Sequence, residues 1–208
     1  MTRYALRHVT AYRYETKVDL ASHLLHLTPR EVPGQRVLGW SLELTPGATC
    51  RAETRDHFGN GITWLSVETP HDSFRAVLDA EVEVAFAPPP ADASTPAWES
   101  VRDDARRVAG WQAMEFTVPS ALASAEPAAG AYAAPCFRPG RPVLEALREL
   151  TARIKRDFAF KPGVTTISTP VTQVLAGRAG VCQDFSHLMI AALRALGLPA
   201  RYCSGYVR

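Results

Sequence analysis

Gly180-Val181-Cys182-Gln183-Asp184-Phe185-Ser186-His187-Leu188-Met189-Ile190-Ala191-Ala192-Leu193-Arg194-Ala195-Leu196-Gly197-Leu198-Pro199 is the stretch on which the reading of the fold turns. Phe185, Leu188, Met189, Ala192 and Leu196 stand at i, i+3, i+4, i+7 and i+11, the stripe of an amphipathic helix. Gly197 and Pro199 supply its stop. Working back, Val143, Leu144, Leu147, Leu150, Ile154 and Phe158 form a second stripe that opens on Pro142, a residue suited to a first helical turn. Residues 172–176 read as a short helix stopped by Gly177, and 201–207 read as a closing strand with Cys203 in its core-facing set. These elements make a helical C-terminal half, residues 142–208.

The N-terminal half has period two instead. Tyr4, Leu6, His8, Thr10, Tyr12 and Tyr14 alternate with Arg3, Arg7 and Arg13. Residues 38–44 and 62–67 also read as strands, and 74–86 form the longest alternating run. Strands joined by turns with no helix between them predict an antiparallel β-sandwich over residues 1–87. Residues 88–141, rich in Pro and Ala, are expected to be a linker carrying a helix near 99–109; the stretch 121–134 is open between helical and mobile. The fold class is thus α+β.

Composition narrows the function. Hydrophobic residues are 47% and charged residues 21% of 208, the balance of a globular protein with its own core. The net charge of +2 gives no electrostatic reason to expect nucleic acid. No apolar run is long enough to span a bilayer and the N-terminus lacks a leader pattern, so no membrane and a cytoplasmic location are expected. Cys50, Cys136, Cys182 and Cys203 lie far apart with no zinc spacing, which fits free thiols.

Cys182 stands at the start of the helix. The first N–H groups of a helix have no intrahelical partner and carry roughly half a positive charge. They favour a thiolate and can hold an oxyanion on a carbonyl. The helix terminus supplies only about 0.3–1 kcal/mol, and Asp184 opposes it, so full activation needs a His partner. The competing reading is a small buried residue in a helix–helix gap. The catalytic reading requires the sulfur to open onto a cleft.

Other residues carry weaker signals. His23 and His26 lack a third metal ligand, and His8 reads as a satisfied sheet residue. His57, with Asp56, Gly59 and Asn60, reads as turn chemistry, and His71 as a loop residue. Trp40, Trp64, Trp98 and Trp111 are expected to be buried rather than to line a groove. No cofactor or metal is expected.

The segment 180–188, followed by Leu193-Arg194-Ala195-Leu196-Gly197-Leu198-Pro199-Ala200-Arg201-Tyr202 and Ser204-Gly205-Tyr206, resembles the core of bacterial transglutaminase-like proteins, which are described as cysteine proteases. Tyr4, His8, Tyr12, Tyr14, Leu27-Thr28-Pro29-Arg30, Asp56-His57-Phe58-Gly59-Asn60 and Pro70-His71 resemble the N-terminal region that accompanies that core. The resemblance implies a papain-like core behind the sandwich. It implies Cys182 as a nucleophile that attacks a peptide or carboxamide carbonyl of a peptide or protein substrate, forming an acyl-enzyme thioester resolved by water or an amine.

The sequence departs from the family pattern after that cysteine. The 26 residues beyond Cys182 hold one histidine, His187, and one acidic residue, Asp184. His187 lies about 140° round the helix from Cys182 and is read as structural. The expected His and Asp partners are missing, so the core reads as truncated: a piece of a longer protein, or a shortened and inactive copy. Two rival readings follow. One is a non-catalytic binding or scaffolding module; the other is a domain-exchanged homo-oligomer pairing through an exposed C-terminal sheet edge.

Overall fold

The alternating run at Phe74 becomes the central strand of a three-stranded sheet. In the computed structural model, which describes residues 1–89, 94–107 and 110–206, the chain divides into two units, Met1–Pro89 and Pro90–Arg208. The first unit contains β1 (Thr2–Val18), β2 (Ala21–Leu25), β3 (Gln35–Thr45), β4 (Cys50–Arg55), β5 (Gly61–Val67) and β6 (His71–Val84). They form two antiparallel sheets, ordered β1-β6-β3 and β2-β5-β4. Phe74 and Ala76 of one sheet meet Leu65, Val67 and Leu25 of the other in a shared core. This is the expected sandwich. Its strands β2 and β4 were not visible in the sequence, because β4 is exposed along its whole length and shows no apolar alternation.

The turn chemistry around Asp56 is structural. The Asn60 backbone N–H donates to Asp56 Oδ1 at 2.7 Å and its side-chain amide donates to Asp56 Oδ2 at 2.8 Å. Gly59 takes a positive φ of 78° in the same turn. Arg30 Nη1 reaches Asn60 Oδ1 at 3.3 Å, joining the two N-terminal motifs. His71 opens β6 and is buried, a correction to its reading as a loop residue, because the strand starts one residue after Pro70. Trp40, Trp64 and Trp111 are exposed, against the expectation of burial; Trp98 packs edge-on to Phe137.

His23 stacks on Phe74, ring centroids 3.9 Å apart, and its Nε2 is buried without a hydrogen-bond partner among the described residues. Burial, with added repulsion from His71, holds its pKa below the ordinary 6.5. The folded state therefore binds the proton less well than the unfolded chain. Its stability contribution is intact above 6.5 and is lost as pH falls from there towards the lowered folded value. The protection factors of β2, β5 and β6, with the intrinsic pH dependence of amide exchange divided out, are expected to fall from about pH 7.5 to about pH 5.5, and His23→Gln to flatten that dependence. A wild-type profile unchanged by His23→Gln would refute this assignment.

The second unit is helical. It contains α1 (Trp98–Ala105), α2 (Trp111–Met114), α3 (Pro127–Ala133), α4 (Val143–Asp157), α5 (Val171–Gly177) and α6 (Cys182–Ala195). A short parallel pair joins β7 (Ala159–Phe160) to β8 (Ala179–Gly180). Residues 127–137, placed in the linker by composition, supply Ala129, Tyr132, Ala133, Cys136 and Phe137 to the core of this unit. Small residues allow it: a Cβ on Gly130 would lie 2.8 Å from Ala195 Cβ, so α3 approaches α6 at glycine distance. Gly130→Ala is expected to cost about 1–3 kcal/mol in denaturant unfolding, outweighing the helix propensity gained. Pro90, Ala91, Asp92, Ala93, Val108, Ala109, Val207 and Arg208, which belong to the expected linker, its helix and the closing strand, lie outside the described residues.

Of the two stripes, Leu150, Ile154 and Phe158 at α4 and Leu188 and Ala192 on α6 are buried, while Val143, Leu144, Leu147, Phe185, Met189 and Leu196 are half-buried and Ala146, outside the stripe, is buried. Ile190, Ala191 and Leu193 are buried too, because α6 is covered by α3, α4 and α5. Gly197, φ 78°, ends α6 in a Schellman turn: Leu198 N–H donates to Leu193 O and Gly197 N–H to Arg194 O, both at 2.9 Å. The Arg194 guanidinium donates to Phe116 O, Ala123 O, Ala200 O and Ser120 Oγ, tying 116–123 to the end of α6. Residues 201–206 are not a strand, and Cys203 is exposed rather than core. Alternation alone is insufficient there, since a strand needs a ladder partner and no described residue supplies one.

Candidate functional site

Cys182 is the first residue of α6, and it is exposed. The first helical bond runs from Phe185 N–H to Val181 O at 3.1 Å. The N–H groups of Cys182, Gln183 and Asp184 therefore precede the intrahelical ladder. Three donors and an open thiol share one helix tip, an arrangement able to hold the oxygen of a carbonyl under attack. Cys182 lines neither of the two cavities described below.

The tip is built by residues on both sides. α5 closes on Arg178, which takes a left-handed φ of 49° one residue later than the stop expected at Gly177. The cost of that conformation for a residue with a side chain is about 1–3 kcal/mol. The Arg178 guanidinium lies 5.0 Å from the ring centre of Tyr132 and 4.8 Å from that of Phe158, contacts that offset part of it. Burial and a hydrogen bond to Asp157 push the Tyr132 phenol up to about 12, so it stays a donor.

From Arg178 the chain enters β8, where Arg178 O and Gly180 O accept the N–H groups of Ala159 and Lys161, each at 2.9 Å. Asp184, 3% exposed, then fastens the tip. Its Oδ2 accepts the Val181 N–H at 2.7 Å and the Thr165 hydroxyl at 2.7 Å. Gly180 is obligatory here, since a Cβ would lie 2.7 Å from Asp184 Oδ2 and 2.9 Å from Asp184 Cβ. Asp184 was legible as a helix-start acid but not as a clamp. The usual Ser/Thr-x-x-Asp/Glu signal is absent because Val181 stands at the cap.

His187 faces elsewhere. Its ring packs 5.5 Å from Tyr202, and burial holds its pKa below 6.5 against the pull of Asp184. No described residue hydrogen-bonds the Cys182 sulfur. Cys136 is buried, and burial pushes its thiol up, so it is inert by comparison. His23 and His26 part company, His23 in β2 and His26 beyond it, and no group of three metal-ligating side chains exists among the described residues. No helix of the described residues is long and apolar enough to cross a membrane.

The sandwich offers a different feature. A cavity of about 480 Å³ lies between Thr28–Glu31, β3 and β4–β5, with Arg30, Trp40 and Arg55 in its lining. A smaller one, about 120 Å³, lies in the second unit between 121–126 and 168–172.

Residues 4–83 match the bacterial transglutaminase-like N-terminal region, and residues 130–208 match the transglutaminase-like superfamily. The chain belongs to the transglutaminase-like superfamily. The match to its core begins at Gly130, inside the stretch that composition marked as linker. This transglutaminase-like chain is 41% identical over 208 residues to uncharacterized proteins of Mycobacterium tuberculosis and Mycobacterium bovis, covering 99% of itself and 66% of each relative. It is 30% identical over 207 residues to an uncharacterized protein of Mycobacterium leprae, covering 72% of that protein. It thus spans slightly less than two thirds of the first two relatives. The fold matches a crystal structure described as "a Putative Cysteine Protease from Cytophaga hutchinsonii" with a TM-score of 0.74 at 20% identity, over 95% of this chain and 64% of that one. The α+β architecture of the superfamily is therefore the architecture of this transglutaminase-like chain.

Proposed function

We propose that Cys182 is the nucleophile of a transglutaminase-like enzyme acting on peptide or carboxamide bonds. The observation that carries this is an exposed thiol at the first position of α6, beside three N–H groups that precede the helical ladder. The sulfur attacks the carbonyl carbon, a C–S bond forms, and the helix-tip donors hold the oxyanion. The C–N bond then breaks and the amine leaves with the thiol's proton. Water yields hydrolysis; a second amine yields transfer. The description of the structural neighbour as a cysteine protease supports the class.

The one histidine of the second unit, His187, packs on Tyr202 rather than beside the thiol, so the described residues of that unit place no imidazole base on Cys182. Loss of general acid–base help costs typically ~10²–10⁴-fold, so this chain alone is proposed to acylate without sustained turnover. Incubation with p-nitrophenyl acetate is expected to release about one equivalent of nitrophenolate, with the acetyl group mapped to Cys182. Acetylation spread evenly over Cys50, Cys182 and Cys203, with no loss of the burst in Cys182→Ala, would exclude the nucleophile. The sandwich cavity favours a second reading, in which the first unit binds a ligand without chemistry.

A further inference from the structure

We propose that residues 160–167 form a specificity wall beside Cys182 that takes an apolar side chain of the substrate, next to the carbonyl attacked. The inference rests on Cys182 being the nucleophile. Phe160 is in register with Gly180, two residues before the thiol, and Lys161 N–H donates to Gly180 O. Thr165 is bonded to Asp184, two residues after it. The loop is thus fastened to the nucleophile segment on both flanks of Cys182. Inside the loop, Thr166 N–H donates to Thr169 Oγ1 at 2.8 Å and Thr169 N–H to Thr166 O at 3.1 Å, which holds its shape before anything binds.

On this anchored loop Phe160, Val164 and Ile167 are 63%, 51% and 79% exposed. Single exposed apolar residues need no explanation, but here three fall within eight positions of one loop that is tied to the segment carrying Cys182. Lys161 is the one ionisable residue between 160 and 170 and no carboxylate lies there, so the loop repels no neutral side chain and offers a cationic one no partner. A substrate reaching Cys182 brings the residue beside its carbonyl against this loop, and an apolar side chain regains the burial that the loop lacks. A second copy of the chain or a further protein segment on the same patch are the rival occupants.

The test needs no turnover. The native chain is alkylated in parallel with iodoacetamide and with N-benzyl iodoacetamide; in both, an S–C bond forms, iodide leaves and the thiol proton passes to buffer. Adducts are mapped at Cys50, Cys182 and Cys203, all exposed, so two cysteines serve as internal references. The benzyl-to-parent rate ratio at Cys182 is expected to exceed that at Cys50 and Cys203 by about tenfold, within the range one apolar group contributes to discrimination. The double variant Val164→Ser/Ile167→Ser is expected to bring it down to the reference ratio. Equal ratios at all three cysteines, or a ratio untouched by the double variant, overturn the wall while leaving the nucleophile standing. Failure of Cys182 to react with either reagent, while Cys50 and Cys203 react, overturns the nucleophile itself. A dimer in sedimentation that the double variant dissociates assigns the patch to a second copy instead.

Discussion

Asp184→Ala is expected to lose about 3 kcal/mol of stability and to lower the melting temperature by roughly 6–12 °C. The carboxylate is 3% exposed and accepts two hydrogen bonds, from Val181 N–H and from the Thr165 hydroxyl. Bonds to a charged acceptor contribute about 1.5–3 kcal/mol each, and removing the acceptor leaves the Val181 N–H unsatisfied at the helix tip. The helix also loses an acid from its positive end. Because Thr165 is released, proteolysis within 161–170 is expected to accelerate. Asp184→Asn keeps an acceptor and is expected to lose less. Gly180→Ala is expected to resemble Asp184→Ala, since the new methyl would occupy the space of the carboxylate. A melting temperature for Asp184→Ala within about 2 °C of wild type would show that the clamp carries little of the stability.

Leu188→Ala is expected to cost about 3–4 kcal/mol, within the range for burying a cavity of this kind. Leu188 is fully buried in the core that α3, α4 and α5 build with α6. Its neighbours are anchored on four helices and cannot all collapse into the space, so the cavity term adds to the lost transfer energy. The sandwich has a core of its own, from Leu25, Leu65, Val67, Phe74 and Ala76. Amide protection is therefore expected to fall across α3–α6 and to persist in β5 and β6. Equal loss in both units would mean that the two cores unfold as one, and a loss below about 1 kcal/mol would mean that the site repacks.

The helices α4 and α6 and the strands β1, β3, β5 and β6 were legible because each carries an apolar period in the sequence, even where, as in β1 and β3, the apolar face is only half-buried. Strand β4 and helix α3 were not. The first is exposed on both faces, and the second has Tyr132 as its one large apolar side chain among Pro, Ala and Gly, too few to show a period. Composition marked α3 as linker, yet smallness is what lets it lie against α6. The reverse error came at 201–206, where alternation was present and a pairing partner was not.

The candidate site divides in the same way. Position 182 at a helix start follows from spacing and from Gly180, because both are local along the chain. The clamp from Asp184 to Thr165, the left-handed Arg178 over Tyr132 and Phe158, and the diversion of His187 to Tyr202 do not. Each joins residues from separate elements, and no one-dimensional period encodes such a meeting. Sequence by itself determined the class of fold and the place of Cys182 at a helix start. Only tertiary packing decided that this sulfur is exposed, that its helix tip is fastened through Asp184 to Thr165, and that the His187 imidazole packs on Tyr202, because those outcomes depend on which surfaces remain uncovered once the helices have met.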